Sequence, residues 1–286
     1  MPEDPSLPLF SYGIFKPGEL GYISLHPNVL EHKRCRAPGR LTVRDGLPLF
    51  DSGGHEKVSG CLLVFRPDKS EETYLQIAKF EPGHFYYWKT LVVDGAKCNV
   101  LFGRSPDGAG STPIESDANG VHTWTGASDP LFKDALDVVD ETAKSTSDFE
   151  WGNLKNLFRL EMAFLLLCSS VERFAALRFC IGENPSKNMA ALGKDQIYIN
   201  RFKESNLEQE IVVHRAGNPK RKTLISKDHP EDSLEGFYQM RCNIVHRGKG
   251  NPHDFNRLKS ALFALSWIFR RVVEDSFGLS RSYLED

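Results

Sequence analysis

The hydrophobic period changes once along this chain, and that change limits the fold more than any other feature. Up to about residue 103 the apolar residues come in short runs, at 9–12, 58–65, 85–93 and 97–102. Short runs bounded by Gly and Pro read as strands. Asp94-Gly95, between the last two runs, is the strongest short hairpin signal in the chain. From Leu154 the spacing becomes helical: Leu154, Leu157, Phe158, Leu165, Cys168, Val171 and Ala175 recur at steps of three and four. This helix is apolar nearly all round at its middle, so it is expected at the centre of a bundle. Strands first and helices afterwards make an α+β chain rather than an alternating one.

The expected organisation follows from the joins. Residues 1–125 form a small mixed, barrel-like β domain with one short helix over 75–80. Residues 104–130 are rich in Gly, Ser, Asp and Pro and read as loop. Residues 126–149 are a linker carrying an acidic helix over 129–144, broken at Ser145-Thr146-Ser147-Asp148. Residues 150–286 form an all-α bundle. Within it 184–192 is a loop or short helix, and Asn218 to Lys222 is a basic turn. A helix from Asp232 ends at Gly248, a residue suited to the left-handed position after a helix. The last helix starts after Asn251-Pro252 and carries Phe255, Leu258, Leu262, Leu265, Ile268 and Phe269.

Charge divides the same way. Residues 1–150 hold 15 Lys and Arg against 22 Asp and Glu, a balance of −7, and residues 151–286 hold 21 against 16, a balance of +5. Any polyanion contact is therefore expected in the second half, unless the excess only solvates a helical surface. The longest apolar run, 162–168, is far short of the roughly 20 residues of a membrane-spanning helix. The acidic, Pro-rich start MPEDPSLP is unlike a secretory signal. The six Cys contain no C-x-x-C pair, and all are expected to be reduced in a cytoplasmic protein. Cys242, His246 and His253 lack a fourth ligand at zinc spacing, so no metal and no cofactor are expected.

Two constellations carry chemistry. In the first half, Leu9 to Gly18 with Tyr12-Gly13-Ile14-Phe15, the run Val58-Ser59-Gly60-Cys61-Leu62-Leu63-Val64-Phe65, and Phe80-Glu81-Pro82-Gly83 with Tyr87-Trp88-Lys89 follow in order. Together, over residues 8–103, they resemble the γ-glutamyl cyclotransferase-like family. The resemblance implies cyclisation of a γ-glutamyl amine to 5-oxoproline, with the substrate's own α-amino group as nucleophile and a near-attack geometry as the main requirement. It implies Glu81 as general base, its pKa raised beside Phe80 and Phe85. The turn at Gly13, Ile14 and Phe15 would hold a carboxylate or oxyanion through its N–H groups. Tyr12 would add a hydroxyl donor, Tyr87 would line the site, and Lys89 would stand where the family often has Arg. Ile14 and Phe15 replace a small polar residue and Leu, which narrows the pocket. The plain alternative makes Glu81 a surface carboxylate at a helix end.

In the second half, Arg241-Cys242-Asn243-Ile244-Val245-His246-Arg247-Gly248 closes one helix and precedes a long amphipathic one. Residues 150–275 resemble HEPN domains, the Apea-like group in particular. Arg241 lies on an apolar stripe with Phe237, Tyr238, Ile244 and Val245, where a charge is costly unless paired or facing a partner chain. His246 is five residues on, about 140° around a helix. One chain does not readily bring both side chains to one phosphate, whereas the resemblance implies a homodimer that pools two Arg and two His. His246 would then be acid or base toward a ribose 2′-hydroxyl, Arg241 would hold the phosphate, and Asn243 would position either. Lys220, Arg221, Lys222, Arg247 and Lys249 would attract RNA backbone. The alternatives are a helix-capping His246 and an Arg241 paired with Glu172 or Glu235. The leading function is RNA cleavage by the HEPN-like dimer, with a first domain that binds or turns over a γ-glutamyl small molecule. The second is a metabolic cyclotransferase whose helical part only dimerises it. The third is a regulator with both pockets inactive.

Overall fold

The computed structural model of the chain describes all residues except 54, 82, 147–153, 181–183, 216, 248–254 and 285–286, and of Pro219 and Arg247 the backbone alone. Gly54, Pro82, Gly248, Lys249, Asn251, Pro252, His253 and the Arg247 side chain therefore lie outside the described residues. The chain divides into two units. The first is Met1–Asp129 with Leu177–Glu183 and Phe277–Asp286, and the second is Pro130–Ala176 with Asn184–Ser276. The helix expected in a linker thus belongs to the second unit.

The first unit contains β1 (Leu9–Ser11), α1 (Leu20–Leu25), β2 (Val29–Pro38), β3 (Arg40–Arg44), β4 (Leu47–Asp51), β5 (Lys57–Phe65), α2 (Ser70–Phe80), β6 (Tyr86–Val93), β7 (Ala96–Gly103), β8 (Thr112–Pro113) and β9 (Val121–His122). The main sheet runs β2-β5-β1-β7-β6, with β9 beside β5, and β4-β3-β8 forms a second sheet. β1 lies at the middle, antiparallel to β5 and parallel to β7. Asp94 and Gly95 take φ of 50° and 82° in the β6–β7 turn, the backbone that a two-residue hairpin needs to match strand twist.

The barrel-like expectation is corrected, because β2 and β6 end the sheet and do not pair with each other. β2 reads VLEHKRCRAP and buries only Cys35 and Ala37. A charged strand of this kind protects a sheet edge from further pairing. Lys33, 3.7 Å from Asp94, spans the gap with an exposed ion pair instead. The same low apolar content hid β2 from the sequence pattern.

The second unit contains α3 (Asp134–Ser145), most of α4 (Lys155–Phe179), α5 (Pro185–Gly193), α6 (Gln196–Glu204), β10 (Ile211–Arg215), β11 (Asn218–Ile225), α7 (Pro230–Arg247) and most of α8 (Phe255–Ser282). α3 belongs here for visible reasons. Arg270 of α8 bonds Asp137 and Asp140, Ser266 donates to Asp140 at 2.6 Å, and Leu136 and Val139 are buried. Phe132, Phe174 and Phe269 pack edge to face around them.

Two expectations fail in this unit. It is not all-α: the supposed basic turn is a strand, paired with β10 from Ile211↔Ile225 to His214↔Lys222. The hairpin packs on α7, where a side chain at Gly236 would run into Ile225. α4 is also not wholly central, since one of its faces is open to solvent. Among the described residues no helix is long and apolar enough to cross a membrane. All six Cys are free, and burial pushes the thiols of Cys61 and Cys98 up to about 11.

Two glycines should respond oppositely to substitution. A Cβ at Gly60 would sit 2.6 Å from the Phe10 ring and 2.7 Å from the Ser11 carbonyl, so Gly60→Ala should destabilise the first unit by about 1–3 kcal/mol. Gly278 lies inside α8 with nothing within 4 Å, so Gly278→Ala should stabilise by about 0.5–1 kcal/mol. Denaturant midpoints check both, and equal shifts in one direction would contradict the packing described.

Candidate functional site

β1 ends at Ser11 and hands the chain to a tight turn, closed by Lys16 N–H donating to the Gly13 carbonyl at 3.2 Å. α1 packs on the turn, with Tyr22 N–H donating to the Ile14 carbonyl at 3.1 Å. Across from it α2 stops at Phe80, and Glu81 turns extended while its N–H still donates to the Ile77 carbonyl. These elements bring Tyr12, Gly13, Ile14, Phe15 and Glu81 to the wall of one cavity, with Pro48, Tyr86 and Leu101.

The cavity is small, about 30 Å³, which is room for about two water molecules. Ile14 and Phe15 are both buried and fill the rest. The Tyr12 hydroxyl donates to the Leu101 carbonyl at 2.6 Å. Burial, with the charge of Glu81 beside it, pushes the Tyr12 phenol well above its ordinary range. Tyr12 is therefore a neutral donor already committed to the backbone.

Tyr87 and Lys89 do not reach this cavity. They line an open groove of about 570 Å³ that also has Glu81, Tyr86 and Leu101 in its wall. There the Lys89 ammonium lies 5.0 Å from the Phe102 ring centre, and Arg104 covers Tyr87 at 5.2 Å. Met1, Pro2 and Glu3 form part of the same wall. Glu81, with Tyr86 and Leu101, is thus shared by the small inner cavity and the larger groove.

The second constellation lies on α7. The Arg241 guanidinium rests beside the Tyr238 ring, 5.7 Å away, and its Nε is 3.5 Å from Glu172 Oε1 on α4. Of the two carboxylates considered, Glu172 is its partner, and Glu235 pairs with Arg215 instead. Asn243 accepts from Gln239 at 3.1 Å and donates to the His214 carbonyl of β10 at 2.8 Å. His246 is exposed, and the helix stays regular through Arg247. In a regular helix the two residues are about 7.5 Å apart along the axis. The structure does not bring Arg241 and His246 of one chain together.

α7 presents two different sides here. Tyr238, Arg241 and Val245 follow at three and four on the α4 side, and Gln239, Asn243 and His246 follow at four and three on the hairpin side. On α4, positions 158, 162, 165, 169 and 172 share the outward stripe. Phe158 is 48% and Met162 66% exposed, and the stripe runs on to Glu172. Val245 adds a further apolar side chain, 49% exposed, one turn beyond Arg241.

A further cavity had no counterpart among the sequence expectations. It is a cleft of about 870 Å³ in the second unit, with exposed Phe263 and with Trp267, on which Arg271 stacks at 3.8 Å. Its one visible signal is Phe263, which stands a place off the apolar positions 258, 262, 265 and 269 of α8. Among the described residues no three His, Cys, Asp or Glu are grouped to hold a metal ion. Comparison with protein-family models, with curated proteins and with solved structures returns no match, so the two resemblances rest on the residues quoted for them.

Proposed function

We propose that the chain cleaves RNA as a homodimer, with His246 of one copy and Arg241 of the other acting on one phosphodiester. The observation that carries this reading is the outward stripe of α4. A monomer gains nothing by holding Phe158, Met162 and Val245 in water around a half-buried Arg241. A second copy set against that stripe covers it and brings a second α7 to the first. The 140° between Arg241 and His246 on one helix, which prevents joint action in one chain, then becomes a requirement for two.

The chemistry asks for little else. The ribose 2′-oxygen attacks the adjacent phosphorus, and His246 takes the hydroxyl proton or returns one to the leaving oxygen. The bond from phosphorus to the 5′-oxygen breaks, leaving a 2′,3′-cyclic phosphate and a free 5′-hydroxyl. Arg241 stabilises the charge that gathers on the phosphate oxygens, and to do so its guanidinium exchanges Glu172 for the substrate.

A second reading rests on the convergence of Tyr12, Gly13 and Glu81 on one cavity. It makes the protein a metabolic cyclotransferase that is dimerised by its helical part. A cavity of about 30 Å³ does not admit a γ-glutamyl group unless Ile14 and Phe15 move aside.

The readings separate by assay. Under the first, His246→Ala lowers RNA cleavage about 10²–10⁴-fold, and chelator leaves the wild-type rate and the cyclic ends unchanged. Met162→Glu, at an exposed position, should yield a folded monomer by light scattering with cleavage lost. Wild-type protein that leaves varied RNAs uncut sinks this reading. Under the second, purified protein releases 5-oxoproline from a γ-glutamyl amine and Glu81→Gln stops it. The size of the inner cavity leads us to expect no release.

A further inference from the structure

The second unit has a net positive charge, but most of its arginines are engaged. Arg201 bonds Asp275 and Glu204, Arg215 pairs with Glu235, Arg241 with Glu172, and Arg270 with Asp137 and Asp140. Arg271 stacks on Trp267. Three neighbouring cations of the β10–β11 hairpin differ. Residues 211–225 carry Arg215, Lys220, Arg221 and Lys222 and no carboxylate at all. Among the described residues no acid lies within ion-pair distance of Lys220, Arg221 or Lys222, and all three are exposed. Folding has gathered charge here without compensating it, which costs self-repulsion unless an anion is met.

The place of the hairpin gives that charge a purpose. Asn243 donates to the His214 carbonyl, and Lys222 is the cross-strand neighbour of His214. Asn243 and Gln239 share the α7 stripe that His246 continues. The hairpin is therefore fixed to the His246 side of α7, whereas Arg241 faces α4. The hairpin thus brings its cations to the side of α7 that Asn243 marks, whereas the Arg of the same motif is turned toward α4.

We propose that the β10–β11 hairpin is a phosphate clamp, in which Lys220, Arg221 and Lys222 hold the backbone of single-stranded RNA along the His246 side of α7. This rests on the RNA reading above and extends it to the strand on either side of the cut. Asn243 then acts as a positioning residue that locks the hairpin to the helix, not as a contact to substrate. A ribbon with an open cationic edge suits a flexible single strand, and affinity should follow counterion release, with about 0.7 in the slope of log affinity against log salt for each phosphate neutralised.

The experiment measures binding of a fluorescein-labelled, mixed-sequence single-stranded RNA by anisotropy from 50 to 300 mM salt. The full-length chain carries His246→Ala so that the probe stays intact. Adding Lys220→Ala, Arg221→Ala and Lys222→Ala should reduce the slope by about 2 and weaken binding at least tenfold at low salt. Lys187→Ala on α5 with Lys194→Ala just after it should change neither. Asn243→Ala should weaken binding while leaving the slope in place, because it loosens the hairpin and removes no charge. RNA bound by the parent with an unchanged slope in the hairpin variant overturns the clamp alone and leaves the cleavage reading standing. Failure of the parent to bind RNA at any salt, or binding only to phosphatidylserine vesicles, overturns both.

Discussion

A step of two residues on a helix turns the chain through about 200°, and the candidate site depends on that step. Arg241 faces α4, held by Glu172 of that helix and by the Tyr238 ring one turn back on α7, and Asn243 faces the hairpin, where the His214 carbonyl holds it. α7 is thereby fixed from both sides by polar contacts at neighbouring positions, and Gly236 lets Ile225 of β11 come close enough to seal the contact with apolar surface. The partition sets what each motif residue can do. Arg241 belongs with the apolar stripe of α4, and His246 with the side of α7 that Asn243 ties to the hairpin. No rotamer choice in one regular helix merges the two sets.

The first unit is organised by a different contact, a buried ion pair. Lys16 and Glu19, 3.6 Å apart, follow the Tyr12-Gly13 turn. Glu19 also accepts from Gly126 N–H at 2.8 Å, Lys16 donates to the Trp124 carbonyl, and Ser280 donates to the Glu19 carbonyl at 2.6 Å. Burial raises the Glu19 carboxyl and lowers the Lys16 ammonium, while each opposes the shift of the other. Removing one partner would leave a charge in an apolar surround, which costs more than the pair contributes. The pair thus holds the turn in place from below while Ile14 and Phe15 fill the space above it. A turn held on both sides explains why the inner cavity is so small.

Legibility in the sequence followed apolar content. β5, β6, β7, α7 and α8 are regular and half apolar, so their spacing showed them to within a few residues. β2 and β11 each carry a cluster of charged residues in place of an apolar alternation and were invisible as strands: one is held by pairing with β5, the other by pairing with β10. α4 misled in the opposite direction. An apolar helix was read as a central one, although Phe158 and Met162 stand in water. The motif residues and one of their partners could be named from sequence, since Glu172 stood among the carboxylates considered for Arg241; the His214 carbonyl that holds Asn243 could not, because a backbone contact 29 positions away leaves no mark in the side-chain pattern.

On the proposed reading these contacts also fix an order of events. The pair between Arg241 and Glu172 is half-exposed and contributes about 1 kcal/mol or less, so a phosphate can replace the carboxylate without unfolding anything. It cannot attract that phosphate from a distance, because the two charges cancel beyond a few ångströms. The hairpin cations have no such screen, and their field reaches about a Debye length, roughly 8 Å at physiological salt. RNA would therefore meet β11 first, slide along the His246 side of α7, and reach Arg241 only where a second copy presents it. On that reading, charge left unpaired at the hairpin would govern encounter, and charge held in reserve by Glu172 would govern the chemical step. A chain with the two roles exchanged would attract RNA to a surface that holds no general base.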